Sequence, residues 1–150
     1  IGPFTWIGSQ LLEKIRILDR CYFPFPWEEK SWGSTSNGLY RHFLIYEGVE
    51  NKHLIGFALF RIDPFGDSSH LLKCLIDEKH RSRGYGQFLV NKSMSYLQKD
   101  GVLEFFLEVQ EQNKVAKRLY KRLGFRVDRR QVSYYKNGDD ACFMTRHVCS

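Results

Sequence analysis

Apolar residues recur at positions 11, 12, 15, 17, 18 and 22, close to a 3.6-residue period. This predicts an amphipathic helix over residues 10–22 with Ser9 as its N-cap. Pro24 and Pro26 end it, because proline has no N–H to give to a helix ladder. Pro26 then suits the first turn of a second short helix, residues 27–32, with Glu28 and Glu29 near its positive end. Residues 33–38 are polar and rich in glycine and serine, and read as a loop. Three strand-like runs follow. Residues 41–47 and 53–61 form a hairpin around the polar turn 48–52, and residues 63–69 turn the chain into a third run, 71–77.

The second half alternates helix and strand patterns. Residues 88–98 carry apolar positions at helical spacing and stop near Asp100-Gly101. Over 103–110, Leu103, Phe105, Leu107 and Val109 share one face of a strand, while Glu104, Phe106, Glu108 and Gln110 share the other. Val115, Ala116, Leu119, Tyr120 and Leu123 make one stripe of a helix over 114–123, and Gly124 suits its C-terminal cap. Residues 125–135 and 141–147 read as a final antiparallel pair. The order, two helices, three strands, helix, strand, helix, two strands, implies an α/β (α+β) mixed sheet with helices on both faces. No repeat or linker divides the chain, so residues 1–150 read as a single domain.

Between the third strand and the next helix stands Arg81-Ser82-Arg83-Gly84-Tyr85-Gly86. A strand–glycine turn–helix unit aims the free N–H groups of the first helical turn outward, where the helix dipole favours an anion. Glycines at 84 and 86 let a phosphate approach the main chain without meeting a Cβ. Arg81 and Arg83 add positive charge. The turn is neither the three-glycine dinucleotide fingerprint nor a P-loop, since no Gly-Lys-Ser/Thr follows.

Composition narrows the classes. The charge of +6 is uneven: residues 114–130 read KVAKRLYKRLGFRVDRR, with Asp128 alone opposing the basic side chains. Such a run suits an anionic partner, whether nucleotide cofactor, nucleic acid or acidic surface, or is simply a solvated basic face. Four cysteines, Cys21, Cys74, Cys142 and Cys149, lie far apart with no C-x-x-C pair, and five histidines show no ligand spacing, so no metal is expected. Without a secretory pattern at the start or a membrane-length apolar run, reduced thiols in a cytoplasm are expected.

The element order, the Arg81-x-x-Gly84-x-Gly86 turn and Leu119-Tyr120-x-x-Leu123-Gly124-Phe125 together resemble the GNAT N-acetyltransferase superfamily. Within it the chain is similar to the RimI-type, ribosomal-protein N-terminal alanine acetyltransferases. That likeness rests on Phe25-Pro26-Trp27-x-Glu29-Lys30, Leu107-Glu108-Val109-x-x-x-Asn113, Tyr134-Tyr135 and Asp140-Ala141-x-x-Met144. The sequence departs at Glu78, where those enzymes usually carry proline, at Ile76 for valine, and at Ser82, where arginine is frequent.

The resemblance implies a GNAT acyltransferase fold, with a mostly antiparallel sheet whose central parallel pair splays apart. Acetyl-CoA, the acetyl donor, would lie in that gap, pairing its pantetheine arm with Cys74, Leu75 and Ile76. The Ile76 N–H would face the thioester oxygen and stabilise the tetrahedral oxyanion. The backbone of Arg83, Gly84, Tyr85, Gly86 and Gln87, with Arg81 and Ser82 beside it, would hold the pyrophosphate, and Asn113 and Tyr120 would complete the cofactor site. Glu108 would be the general base, through a water, and Tyr120 the acid for the leaving thiolate. Taken by position alone, Glu108 is a strand-end glutamate and Tyr120 a core tyrosine. Trp27, Tyr134 and Tyr135 would border the acceptor groove. The acceptor would be a protein or peptide N-terminus, possibly of a ribosomal protein. Alternatives are a small amine (polyamine, aminoglycoside or amino acid), or a non-catalytic acyl-CoA- or nucleic-acid-binding module. Cys74 and Cys142 read as small apolar core residues, which gives an acyl-cysteine route no support.

Overall fold

The computed structural model describes residues 3–4, 9–23, 26–35, 38–50 and 53–148. The Ser9 side chain, Phe25, the middle of the 33–38 loop, Asn51 and Lys52 of the hairpin turn, and Cys149 lie outside the described residues. The elements are β1 (Pro3–Phe4), α1 (Ser9–Tyr22), α2 (Glu29–Ser34), β2 (Tyr40–Glu47), β3 (His53–Ile62) and β4 (Ser68–Ile76). They continue with a 3-10 turn (Glu78–His80), α3 (Tyr85–Lys99), β5 (Glu104–Gln110), α4 (Lys114–Arg122), β6 (Arg126–Gln131) and β7 (Ala141–His147).

Seven strands form one sheet in the order β1-β2-β3-β4-β5-β7-β6. Every neighbouring pair is antiparallel except β4 and β5. Two apolar layers cover its faces. On one, Leu89, Val90, Met94 and Leu97 of α3, with Ala116, Leu119 and Tyr120 of α4, pack on Phe43, Phe60, Phe105, Leu107 and Met144. On the other, Ile15 of α1 and Trp32 of α2 pack on Leu44, Phe57, Leu59 and Leu75. The predicted fold class is therefore the one observed.

β1 is an element the sequence pattern did not indicate, α3 begins at Tyr85 rather than at 88, and four other boundary differences bear on the site. The second helix begins at Glu29 rather than at 27, because the Trp27 N–H donates to Asp19 Oδ2 at 2.7 Å and holds residues 26–28 as an extended strap. β4 begins at Ser68, since Ser69 and His70 already pair with Ile62 and Arg61 of β3. Leu103 precedes β5 and is 54% exposed. β6 ends at Gln131 instead of running to 135: Ser133 turns the chain at φ 53, and the N–H groups of Tyr134 and Tyr135 both donate to the Asp139 carbonyl. Both tyrosines thus sit on a loop.

One irregularity positions the site. Lys73 pairs with Leu59 and Leu71 with Phe60, leaving Leu72 as an extra residue in β4. Such a bulge bends its strand and sharpens the twist. On its far side, β5 stays paired with β7 along its whole length, Glu104–His147 to Gln110–Ala141. β4 bends and β5 does not follow.

Candidate active site

β4 and β5 pair only at Ser68/Glu104, Ser69/Phe105 and His70/Phe106, although β4 continues to Ile76 and β5 to Gln110. Beyond His70 a gap opens between residues 71–76 and 107–110. The Asp77 N–H donates to the Ile55 carbonyl at 2.7 Å. Paired residues of an antiparallel ladder alternate between bonded and non-bonded, so the polar backbone groups of Ile76 and Cys74 turn away from β3 and into the gap. Leu75 turns the other way, toward Phe57, with its side chain buried. A buried backbone N–H needs a partner, and an extended ligand carrying its own amides matches this edge. Gly56 lets β3 lie close here: a Cβ on it would stand 2.6 Å from the Leu75 carbonyl oxygen and from the Ile76 side chain.

At the end of β4 the chain passes through the 3-10 turn into α3. Gly84 is the N-cap of α3, at φ 82, and offers no side-chain acceptor. The N–H groups of Tyr85, Gly86 and Gln87 therefore keep the outward aim of a free helix start. Nothing lies within 4 Å of where a Gly84 Cβ would be, so the space above the turn is open. Ser82, at φ 61, bends the approach, and Ser82, Arg83 and Gln87 are exposed. Arg81 points elsewhere: its Nε donates to the Ile76 carbonyl at 2.9 Å and its guanidinium lies 5.1 Å from the centre of the Tyr22 ring. Its contact is with the frame of the turn. Together the edge and the open turn fit a pantetheine arm and a pyrophosphate.

Asn113 caps α4, its Oδ1 accepting from the Ala116 N–H at 3.1 Å. This fixes the helix that carries Tyr120, whose ring meets Phe125 edge-on at 5.8 Å. Burial, with smaller contributions from Cys74 and Tyr135, pushes the Tyr120 phenol far above its ordinary pKa. It holds its proton throughout the working pH range. Burial also pushes the Cys74 thiol up to about 12, so this cysteine stays a thiol rather than a nucleophile.

Glu108 projects from the opposite face of β5. Its Oε2 lies 2.6 Å from His70 Nε2, and each side chain is 22% exposed. Tyr134 and Tyr135 pack edge-on at 5.1 Å, and Tyr134 also meets Phe143 at 5.3 Å. Burial first, then the Glu108 charge, raises both phenols, Tyr135 to about 12. After burial, the Glu108 charge contributes to the rise of Tyr135, and Tyr135 contributes to that of Tyr120. Trp27 stands apart from this group: its ring packs 5.1 Å from Trp32 and 5.0 Å from Lys73 Nζ, in the aromatic wall beneath α1.

The sequence expectation omitted His70, because it left residue 70 between the turn at 63–69 and the strand-like run at 71–77. The usable signal was the turn itself: Pro64-Phe65-Gly66-Asp67 ends the turn-forming residues, so a strand can start at Ser68. Among the described residues, no group of three or more His, Cys, Asp or Glu stands where it could hold a metal ion.

Comparison with known proteins agrees with this geometry. The model of the Acetyltransferase (GNAT) family matches residues 12–125. The [ribosomal protein bS18]-alanine N-acetyltransferase of Escherichia coli K12 is 30% identical over 123 residues, covering 80% of each chain. The crystal structure of the ribosomal-protein-S18-alanine N-acetyltransferase from Escherichia coli superposes with a TM-score of 0.85 at 25% identity, over 99% of this chain and 94% of that one. Arabidopsis thaliana NAA60 in complex with acetyl-CoA shares the fold, with a TM-score of 0.81 at 22% identity over 98% and 99% of the two chains. The chain thus belongs to the acetyltransferase (GNAT) family and is an N-acetyltransferase.

Proposed function

We propose that this enzyme acetylates the α-amine at the N-terminus of a protein or peptide by direct attack in a ternary complex. The observation that carries the reading is the Glu108 carboxylate at the mouth of the β4–β5 gap, with Tyr134 and Tyr135 beside it. Acetyl-CoA supplies an activated acetyl thioester. Cys74 and Ile76 hold its arm by their backbone groups, and the first turn of α3 holds its phosphates. The Ile76 N–H faces the developing negative charge on the carbonyl oxygen. Glu108 takes the proton from the attacking amine, and Tyr120 gives one to the departing sulfur. Tyr134 and Tyr135 border the acceptor, and Trp27 backs the wall on the same sheet face.

Kinship with an alanine N-acetyltransferase favours an N-terminal acceptor over a polyamine. Both apolar clusters share one sheet, which supports residues 1–150 as one catalytic domain. The free thiols Cys21, Cys74 and Cys142 suit a reducing cytoplasm. Among the described residues no helix is long and apolar enough to cross a membrane.

Incubation with acetyl-CoA and a mixture of peptides with free or blocked N-termini, plus spermidine, followed by mass spectrometry, tests the proposal. Free N-termini, alanine-first peptides among them, should gain the acetyl group. Acetylation of spermidine or of internal lysines, with the free N-termini untouched, would sink it.

A further inference from the structure

Glu108 has a partner that the mechanism above leaves idle. Three constraints fix the His70 imidazole. His70 and Phe106 are the last bridged pair before β4 and β5 separate. The two rings stack, with centroids 4.5 Å apart and planes 23° from parallel. Its Nε2 then meets Glu108 Oε2 at 2.6 Å, in the short range of charge-assisted hydrogen bonds. An ionised carboxylate can only accept, so the shared proton sits on His70 Nε2. That bond occupies Oε2 and leaves Oε1 for a proton from outside.

We propose that His70 is the positioning residue of the catalytic base: it fixes the Glu108 rotamer so that Oε1 faces the acceptor amine. The inference rests on Glu108 being the base and adds to it. The amine N–H proton passes through a water to Oε1 as nitrogen attacks, while the His70 N–H···Oε2 bond stays in place.

Other groups facing the pair hold their charge near neutrality. Tyr134 and Tyr135, from the loop before β7, are raised and stay neutral. Arg61 of β3, registered opposite His70, and Arg129 of β6, over the Phe143 ring, stay cationic. His147 pairs with Glu104, four residues back along β5, and its side chain is 73% exposed. His147→Gln therefore serves as the control.

The experiment measures kcat against pH, at saturating acetyl-CoA and a saturating alanine-first octapeptide, for wild type, His70→Gln, His70→Ala, His147→Gln and Glu108→Gln. Thermal stabilisation by acetyl-CoA checks that each variant is folded. His70→Gln keeps a donor but cannot become charged. It should stay within about threefold of wild type at pH 8. His70→Ala should lose about tenfold or more in kcat with the acetyl-CoA KM within about twofold. His147→Gln should keep wild-type turnover. If Glu108→Gln is inactive but His70→Ala keeps wild-type turnover, or Gln is as slow as Ala, the His70 role is overturned and the base assignment stands. If Glu108→Gln keeps wild-type turnover, both fall.

Discussion

Tyr120 and Cys74 both pack against the core beneath α3 and α4, and burial keeps both in their neutral forms. For Tyr120 this keeps the proton that the departing sulfur needs. Tyr120→Phe removes the hydroxyl and keeps the ring on Phe125, so stability should change by no more than about 1–2 kcal/mol. In steady-state assays kcat should fall roughly 10²-fold or more with little change in the acetyl-CoA KM; unchanged turnover would return Tyr120 to a packing role. Cys74 gives a stability test. Its thiol is raised in the folded protein, so as pH rises from 9.0 the unfolded chain loses its proton first. Stability should fall between there and about 12, by at most about 1.4 kcal/mol per pH unit. Urea unfolding at several alkaline pH values should show a shallower decline for Cys74→Ala than for wild type. Equal slopes would mean that the thiol is not desolvated.

The element that holds α1 to the sheet is a buried ion pair. Lys73 Nζ, on the bulged part of β4, lies 2.6 Å from Asp19 Oδ1, with side-chain exposures of 1% and 0%. Burial lowers the Lys73 pKa and the Asp19 carboxylate opposes that. Phe23, Trp27 and Trp32 pack around the ammonium, and Asp19 also accepts from the Trp27 N–H and Trp32 Nε1. The pair thus fastens α1, the strap and α2 beside the splay. Lys73→Met should cost about 3–5 kcal/mol in chemical denaturation, because it leaves a carboxylate buried without its cation. Adding Asp19→Asn, which keeps an acceptor for Trp27 and Trp32, should recover part of that loss. A double variant no better than Lys73→Met would show that the aromatic packing, not the stranded charge, dominates. The pair was invisible in the sequence, where positions 19 and 73 are 54 residues apart and Lys73 reads as a polar interruption in an apolar strand.

At the scale of the whole molecule, the positive surplus collects on one side. β6 is exposed along its length and carries Arg126, Arg129 and Arg130, charges that protect an open sheet edge from pairing with another chain. Lys114, Lys117, Arg118 and Lys121 line a shallow depression on the neighbouring α4. Glu111 is the local counterweight: the Lys117 ammonium at 2.7 Å and the Arg130 guanidinium at 3.1 Å hold its carboxyl below the usual range despite partial burial. Acetyl-CoA binds the folded state alone, so at ~100 times its dissociation constant it should stabilise the protein by about 2.7 kcal/mol, seen as a raised Tm. Gly84→Val should abolish that shift while leaving a folded protein, because its Cβ would enter the open space over the turn and valine resists φ 82. A full shift in the variant would remove the phosphate role from the turn.

The local pattern determined the elements from α1 to β7, their order and the family, but not the short edge strand β1. Helical spacing, alternation and the Gly84-x-Gly86 turn are properties of neighbouring residues, and the packed molecule keeps them. Glu108, Tyr120 and Asn113 were singled out by motif, and Asn113 proves to cap α4. Tertiary structure decided whatever depends on which distant backbones meet. The Leu72 bulge exists only in relation to β3, and the splay only because β5 stays with β7. Tyr134 and Tyr135 leave their expected strand because Asp139 captures both N–H groups. His70 joins Glu108 across 38 residues, through a parallel register that alternation along one strand cannot specify. Sequence periodicity says which face a side chain takes; only the pairing of strands says what stands opposite it.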